Sequence, residues 1–151
     1  MTKLLETIQE IVKFGLQPSL CVPNRDKMLE HSLVKIYSLY FDISYQFDDT
    51  DYPDFDKSNL TNVRSNVETN FKDFGFYKTP LDFEDIYNLK ECGIGDAVDD
   101  LTDIIGDLLE IKWRIENNSV ADGLRYFELI FKSHTQQHIL DLLNYMKQRN
   151  G

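Results

Sequence analysis

The chain has 151 residues, of which 42% are hydrophobic and 13% aromatic, and its formal net charge is −10. This acidity opposes binding to nucleic-acid phosphates and to anionic membrane surfaces, and no apolar run approaches the roughly 20 residues that span a bilayer. The length and the apolar share predict a single folded domain over residues 1–151, with neither a nucleic-acid nor a membrane partner.

The N-terminal segment predicts an amphipathic helix rather than a secretion signal. Leu4, Ile8 and Ile11 recur at helical spacing, and acidic residues interrupt the apolar stretch. The helix should weaken at Gly15 and end before Pro18. Without a secretion signal we expect a cytoplasmic protein, whose two unpaired cysteines are reduced thiols.

A second helix is predicted over residues 25–41, where Leu29, Leu33 and Ile36 form a narrow apolar arc. His31 lies on the opposite side of this helix, so we expect it to face solvent. The following segment, "DISYQFDDTDYPDFDK", has six Asp and no helical stripe, which predicts a loop. Tyr52 and Phe55 in this loop are candidates for binding a protein partner. The alternative is that these rings pin the loop to the helices.

Residues 58–75 predict a third helix, with Ser58 as N-cap and Gly75 as C-cap. A short helix is predicted over residues 81–89, with Asp82 as its cap. No segment alternates with period two over a useful length, so no strand is predicted. The fold class predicted is all-α, an antiparallel bundle of about five helices with a long C-terminal helix.

The fourth helix is predicted over residues 95–118, and it carries Asp99, Asp103 and Asp107 at a spacing of four. A helical wheel at 100° per residue places these three away from the apolar arc. We therefore expect a solvated face, on which Glu110 and Arg114 form an ion pair. Helices on both sides of this one would turn the same face inward.

Ser119, followed by Asp122, predicts the start of a last helix that runs to about residue 148. On a regular wheel His134 and His138 point toward the core of the bundle, while Leu129, Ile139, Leu140 and Leu143 lie on the back face. That back face favours self-association through the last helix.

The two histidines have two interpretations. Spaced by four, they could bind zinc or a similar divalent metal together with the facing Asp99, Asp103 and Asp107. The alternative, which base rates favour, is a pair of core histidines bonded to a carboxylate or a carbonyl, with no stoichiometric metal. In that case burial should lower the pKa of His138.

The fourth and last helices, "GDAVDDLTDIIGDLLEIKWRIENN" through "SHTQQHILDLLNYMKQ", together with "NFKDFGFYKT", resemble a bacterial family known as domain of unknown function 5063, in its Bacteroidetes-like branch. The resemblance implies one bacterial cytoplasmic domain and no particular activity.

Two functions follow from the sequence. The first, favoured by the acidity and by the absence of catalytic motifs, is a non-enzymatic helical interaction module that binds an unknown protein partner or a second copy of itself, with no cofactor. The alternative is a metal-dependent helical-bundle hydrolase that uses the histidine pair and the facing aspartates.

Overall fold

The computed structural model describes residues 1–88 and 90–151, most of which are helical. Along the chain the elements are α1 (Thr2–Leu16), α2 (Arg25–Tyr40), a 3-10 turn (Lys57–Leu60), α3 (Val63–Asn70), β1 (Phe76–Pro80), β2 (Cys92–Asp96), α4 (Ala97–Asn117), α5 (Val120–Ile130), a π-helical segment (Phe131–Thr135) and α6 (Gln136–Arg149). The predicted helical class is confirmed in outline, and the strand pair corrects the all-α expectation. Among these described residues, no helix is long and apolar enough to cross a membrane.

Helix α4 lies at the centre of the fold. It packs against α1 and α3 and also against α5 and α6, and its buried residues occupy more than one face. Its direction is opposite to that of the last helix, since Glu110 contacts Tyr126 while Asp100, earlier in α4, contacts His138, later in the chain. A helix covered on several sides cannot present a fully solvated acidic face.

The last helix begins as predicted and then departs from regular geometry. The Ser119 hydroxyl accepts a hydrogen bond from the backbone N–H of Asp122, which caps α5. The N–H of Gln136 donates to the carbonyl of Phe131, five residues earlier, so α5, the π segment and α6 form one continuous rod that ends at Arg149. With this rod counted once, the described residues contain the five α-helices expected.

The third helix is shorter than predicted, because Asn70 diverts the chain. Its side chain accepts from the N–H of Leu20 and donates to the carbonyls of Phe14 and Gln17, which ties the end of α3 to the end of α1. The C-cap is Phe71 rather than Gly75. At the other end, Asp56 rather than Ser58 caps the 3-10 turn.

Strands β1 and β2 pair antiparallel, with Tyr77 opposite Gly95 and Lys78 opposite Ile94. The ring of Tyr77 lies across β2, so a Cβ on Gly95 would approach within 2.2 Å of it. A side chain at Gly95 would therefore displace Tyr77. The hairpin is not recognisable in the sequence, because its outward positions carry apolar side chains such as Phe76 and Ile94, while its inward positions include glycines.

The short helix predicted over residues 81–89 is wrong for residues 81–88, and Leu89 lies outside the described residues. The carboxylate of Asp82 accepts from the N–H of Glu84, and that of Asp85 accepts from the N–H of Tyr87. These local bonds offer the backbone a turn in place of a helix.

Candidate metal centre

The two histidines lie at the boundary between core and solvent. His134 is in the π segment with its side chain 42% exposed, and His138 is in α6 with its side chain 23% exposed. The prediction that both point into the core is wrong. The π segment adds one residue to the helix, so the residues that face the core after it lie one position later in the sequence than they would in a regular helix. Ile139 is fully buried and takes the core position that a regular wheel gives to His138.

The imidazole Nε2 atoms of His134 and His138 face each other at 3.2 Å. The carboxylate of Asp103 on α4 joins them, with its Oδ2 atom 3.4 Å from His138 Nε2. These three side chains each offer a metal-ligating atom, and the three atoms lie within 4.8 Å of one another.

The second ring nitrogen of each histidine, Nδ1, contacts a carboxylate of α4. His134 Nδ1 lies 2.8 Å from Asp107 Oδ2, and His138 Nδ1 lies 2.8 Å from Asp100 Oδ1. An ionised carboxylate only accepts hydrogen bonds, so each Nδ1 carries the hydrogen. In the neutral rings both Nε2 atoms therefore present lone pairs to each other.

Further hydroxyl groups hold these two carboxylates. Thr135, fully buried in the π segment, donates to Asp107 Oδ2 at 2.7 Å, and the Tyr77 hydroxyl on β1 donates to Asp100. Burial and the bond to Asp100 raise the pKa of Tyr77, so the hydroxyl keeps its proton. Sequence reasoning missed Tyr77 and Thr135, and the spacing of neither residue signals this role.

Helix α4 supplies the carboxylates because Asp100, Asp103 and Asp107 follow each other at steps of three and four, which places them on one helical face. The prediction that these aspartates face solvent is wrong for Asp107, whose side chain is 11% exposed beneath α5 and the π segment, and holds in part for Asp103, whose side chain is 38% exposed. Sequence reasoning also missed Asp100. Its spacing to Asp103 and Asp107 is the signal that could have found it.

Two other candidates lie away from the histidine pair. Asp99 is 58% exposed and forms an ion pair with Arg64 at 2.7 Å, so the structure does not bring it to His134 and His138. His31 is exposed on α2, as predicted.

The predicted ion pair between Glu110 and Arg114 exists, with 2.9 Å between Glu110 Oε1 and the guanidinium. Its expected position in solvent is wrong, because the Glu110 side chain is only 5% exposed. Tyr126 on α5 donates to the other oxygen of Glu110 at 2.9 Å. This buried cluster lies one turn beyond Asp107 on α4.

The charges around His138 stabilise its protonated form. The hydrogen bond to Asp100 raises the pKa of His138 above its ordinary value, Asp103 and Asp107 add to the rise, and burial opposes it. The lowered pKa predicted for His138 is therefore wrong. Burial raises the pKa of Asp103, so this carboxylate also gains from a nearby cation.

The three ligand atoms lie within 4.8 Å of one another, and two of the distances between them match the edge of a tetrahedral zinc site. Zinc binds nitrogen and oxygen at about 2.0–2.1 Å, so two corners of the tetrahedron lie about 3.3 Å apart. The distances of 3.2 Å between the imidazoles and 3.4 Å to Asp103 match that edge. Carboxylates on the non-ligating nitrogens are the usual partners of zinc-bound histidines.

The candidate partner-binding residues of the acidic loop contact their own chain. The Phe55 ring lies 5.7 Å from that of Trp113, and the Tyr52 hydroxyl donates to Asp48 at 2.6 Å. Asp48 also accepts from Ser119 at 3.0 Å, which joins the loop to the start of α5. These contacts favour the interpretation that the rings pin the loop, and binding of a partner by Tyr52 and Phe55 stays a prediction.

Comparisons with protein-family models, with curated proteins and with solved structures return no match for this chain. The resemblance to domain of unknown function 5063 therefore stays a prediction.

Proposed function

We propose that this protein binds one divalent metal ion of the zinc type through the Nε2 atoms of His134 and His138 and the carboxylate of Asp103. The observation that carries the proposal is the pair of Nε2 atoms facing each other at 3.2 Å, in two rings whose Nδ1 atoms each contact a carboxylate. A proton between the rings also removes the repulsion of their lone pairs, and Asp103 stabilises it through its charge, whereas a metal ion would bind the Asp103 carboxylate directly. A metal ion satisfies both imidazoles and Asp103 together.

The donor set favours zinc or a similar first-row metal over calcium or magnesium. Imidazole suits zinc, copper, iron and nickel, whereas calcium and magnesium prefer oxygen ligands. Three protein ligands would leave one coordination position for water or a substrate, as in catalytic zinc sites. His134 and Asp103 are partly exposed, so this position is within reach of solvent.

The open position supports the metal-dependent hydrolase among the two functions predicted from the sequence. When bound, the ion would supply Lewis-acid chemistry at that position. Asp100 and Asp107 hold the two imidazoles in the tautomer that binds a metal, while Tyr77 and Thr135 fix the carboxylates. Asp99 has no part in this proposal.

Elemental analysis of the full chain, after loading with zinc and removal of free metal, tests the proposal. We expect one equivalent of zinc in the parent protein and none in the His134→Ala and His138→Ala variants. Asp107→Asn should keep all three ligands yet weaken zinc affinity by about 10–100-fold, since it disturbs the partner of a ligating histidine. Asp99→Asn is the matched control and should retain the full equivalent.

A parent protein that holds no zinc, or a His138→Ala variant that holds as much as the parent, would contradict the metal centre. Thermal unfolding gives a second measurement. An ion that binds only the folded state raises the melting temperature of the parent, and a chelator removes that rise.

An interaction module that binds a protein partner or a second copy is the other candidate, and an exposed apolar surface favours it. Six large apolar side chains of the hairpin and of the described part of the turn between its strands are exposed. We name this surface the hairpin patch, and its members are Phe76, Leu81, Phe83, Ile86, Tyr87 and Ile94. The two functions are compatible, because the hairpin patch and the proposed metal ligands are different side chains. Tyr77 connects the same hairpin to Asp100.

A bacterial cytoplasmic origin and a lack of affinity for nucleic acids also belong to this proposal. The net charge of −10 supports the second expectation, and the free thiols of Cys21 and Cys92 are compatible with the first.

A further inference from the structure

A groove of about 230 Å³ adjoins the candidate metal centre, between α4, the 3-10 turn and the π segment. Two of the proposed ligands, Asp103 and His134, contribute to its lining, together with Lys57, Leu60 and Gly106. Pockets for drug-sized ligands measure about 300–1,000 Å³, so this groove suits a smaller molecule.

Lys57 is the lysine of this groove, and its exposed ammonium forms a long ion pair with Glu110. Its ammonium lies 3.6 Å from Glu110, beyond hydrogen-bond distance, and its side chain is 71% exposed. Glu110 does not need Lys57, since Arg114 donates to one carboxylate oxygen at 2.9 Å and Tyr126 to the other at 2.9 Å.

Gly106 keeps the floor of the groove open. A glycine inside a helix makes the helix less stable than an alanine would, so an interior glycine calls for a reason. Close packing is not the reason, because a Cβ at Gly106 would meet only the Leu60 Cδ1 atom, at an ordinary 3.7 Å. A longer side chain at this position would extend into the space beside Asp103 and His134.

We propose that the groove binds a small oxyanion, with one oxygen at the open position of the metal ion and another on the Lys57 ammonium. This inference rests on the proposed metal site, because the ion supplies most of the positive charge. Asp103, Asp107 and Glu110 repel an anion from the metal-free groove. Binding is therefore ordered, with the metal first and the oxyanion second. Phosphate and carboxylate groups share the required chemistry.

Cobalt-loaded full-length protein, titrated with inorganic phosphate, tests the proposal through the visible absorption of the metal ion. We expect phosphate to change the spectrum of the parent protein. Lys57→Gln should weaken the phosphate affinity by about tenfold or more, since a charge-assisted hydrogen bond is lost, and should leave the cobalt stoichiometry unchanged. Gly106→Leu should fill the groove and weaken phosphate affinity while cobalt stays bound.

Lys72→Gln, at an exposed lysine on the segment after α3, is the matched control and should behave as the parent does. Acetate serves as a second probe, and a response to it extends the ligand class from phosphates to carboxylates. Cobalt-loaded protein that ignores both anions, or that binds phosphate equally well with Lys57→Gln, would overturn the groove proposal alone. Failure to load cobalt would instead defeat the metal site on which it rests.

Discussion

At His138 the surrounding carboxylates determine how the stability of the metal-free protein depends on pH. Asp100 accepts the Nδ1 hydrogen, Asp103 and His134 face Nε2, and Asp107 adds a more distant negative charge. The hydrogen bond and these charges outweigh burial and raise the pKa of the imidazole in the folded chain. Protonated His138 therefore stabilises the folded state.

We expect His138→Gln to reduce the free energy of unfolding of the metal-free protein more at low pH than at high pH. The folded pKa lies above the unfolded value of about 6.5, so the stabilisation is fully present below that value and is lost as pH rises through the folded pKa. Urea unfolding with a chelator, from about pH 5.5 upward, measures the difference. His31→Gln on the exposed face of α2 is the control. A difference that stays constant or grows with pH would reject this account.

The residues of the site were partly predictable. The spacing of His134 and His138 and the acids of α4 pointed to the two helices that meet there. The choice between Asp99 and Asp100 was not predictable from a wheel of one helix, because it depends on which neighbours cover α4. Asp99 meets Arg64 from α3, whereas Asp100 meets α6.

Gly123 and Gly106 differ in how closely the neighbouring part of the chain approaches them. At Gly123, in the first turn of α5, a Cβ would lie 2.3 Å from a side-chain atom of Ile115 and 2.9 Å from its backbone nitrogen. The backbone of α5 therefore contacts the end of α4 directly. Gly106 has no comparable contact.

The same substitution should have opposite effects at these two positions. Gly106→Ala should raise the free energy of unfolding by about 1 kcal/mol, because alanine favours the helix and has space. Gly123→Ala should lower it by roughly 1–3 kcal/mol, because α4 and α5 must separate. Urea unfolding of both variants measures these two changes in the free energy of unfolding. Destabilisation by Gly106→Ala, or none by Gly123→Ala, would contradict the packing described.

Helices were more predictable than strands, for physical reasons. A helix that packs on one side carries a periodic apolar stripe, as in α1 and α2, and its ends follow from caps such as Ser119. The hairpin carries its apolar side chains outward and glycines inward, so its pattern does not resemble a half-buried sheet. The end of α3 depended on the distant contacts of Asn70 with α1.

Among the described residues, the four most exposed large apolar side chains all belong to the hairpin patch. Tyr87 is 94% exposed there, and Ile94 80%. The back face of the last helix is less continuous than predicted, since Ile139 is fully buried while Leu129 and Leu140 are exposed. If two copies associate, the hairpin patch is the surface that gains most from being covered.

We expect sedimentation at micromolar concentration to detect a dimer that Phe83→Ser and Ile94→Ser weaken. These side chains are exposed in one copy, so the variants should unfold at nearly the same temperature as the parent. Leu129→Ser on the last helix is the control and should not affect association. A parent that sediments only as a monomer would reject self-association, and loss of the dimer with Leu129→Ser alone would return it to the last helix.

The extra residue of the π segment is needed for the arrangement of the histidine site but not for the packing of the core. Phe131 and Ile139 are both buried although they lie eight residues apart, which is about 80° out of phase in a regular α-helix. A chain one residue shorter would place them seven apart and about 20° out of phase, so we expect the core to accommodate the deletion. The deletion would, however, remove the turn that brings His134 and Thr135 to the same oxygen of Asp107. We therefore expect a chain that is one residue shorter at this point to keep the bundle and to lose the proposed metal site.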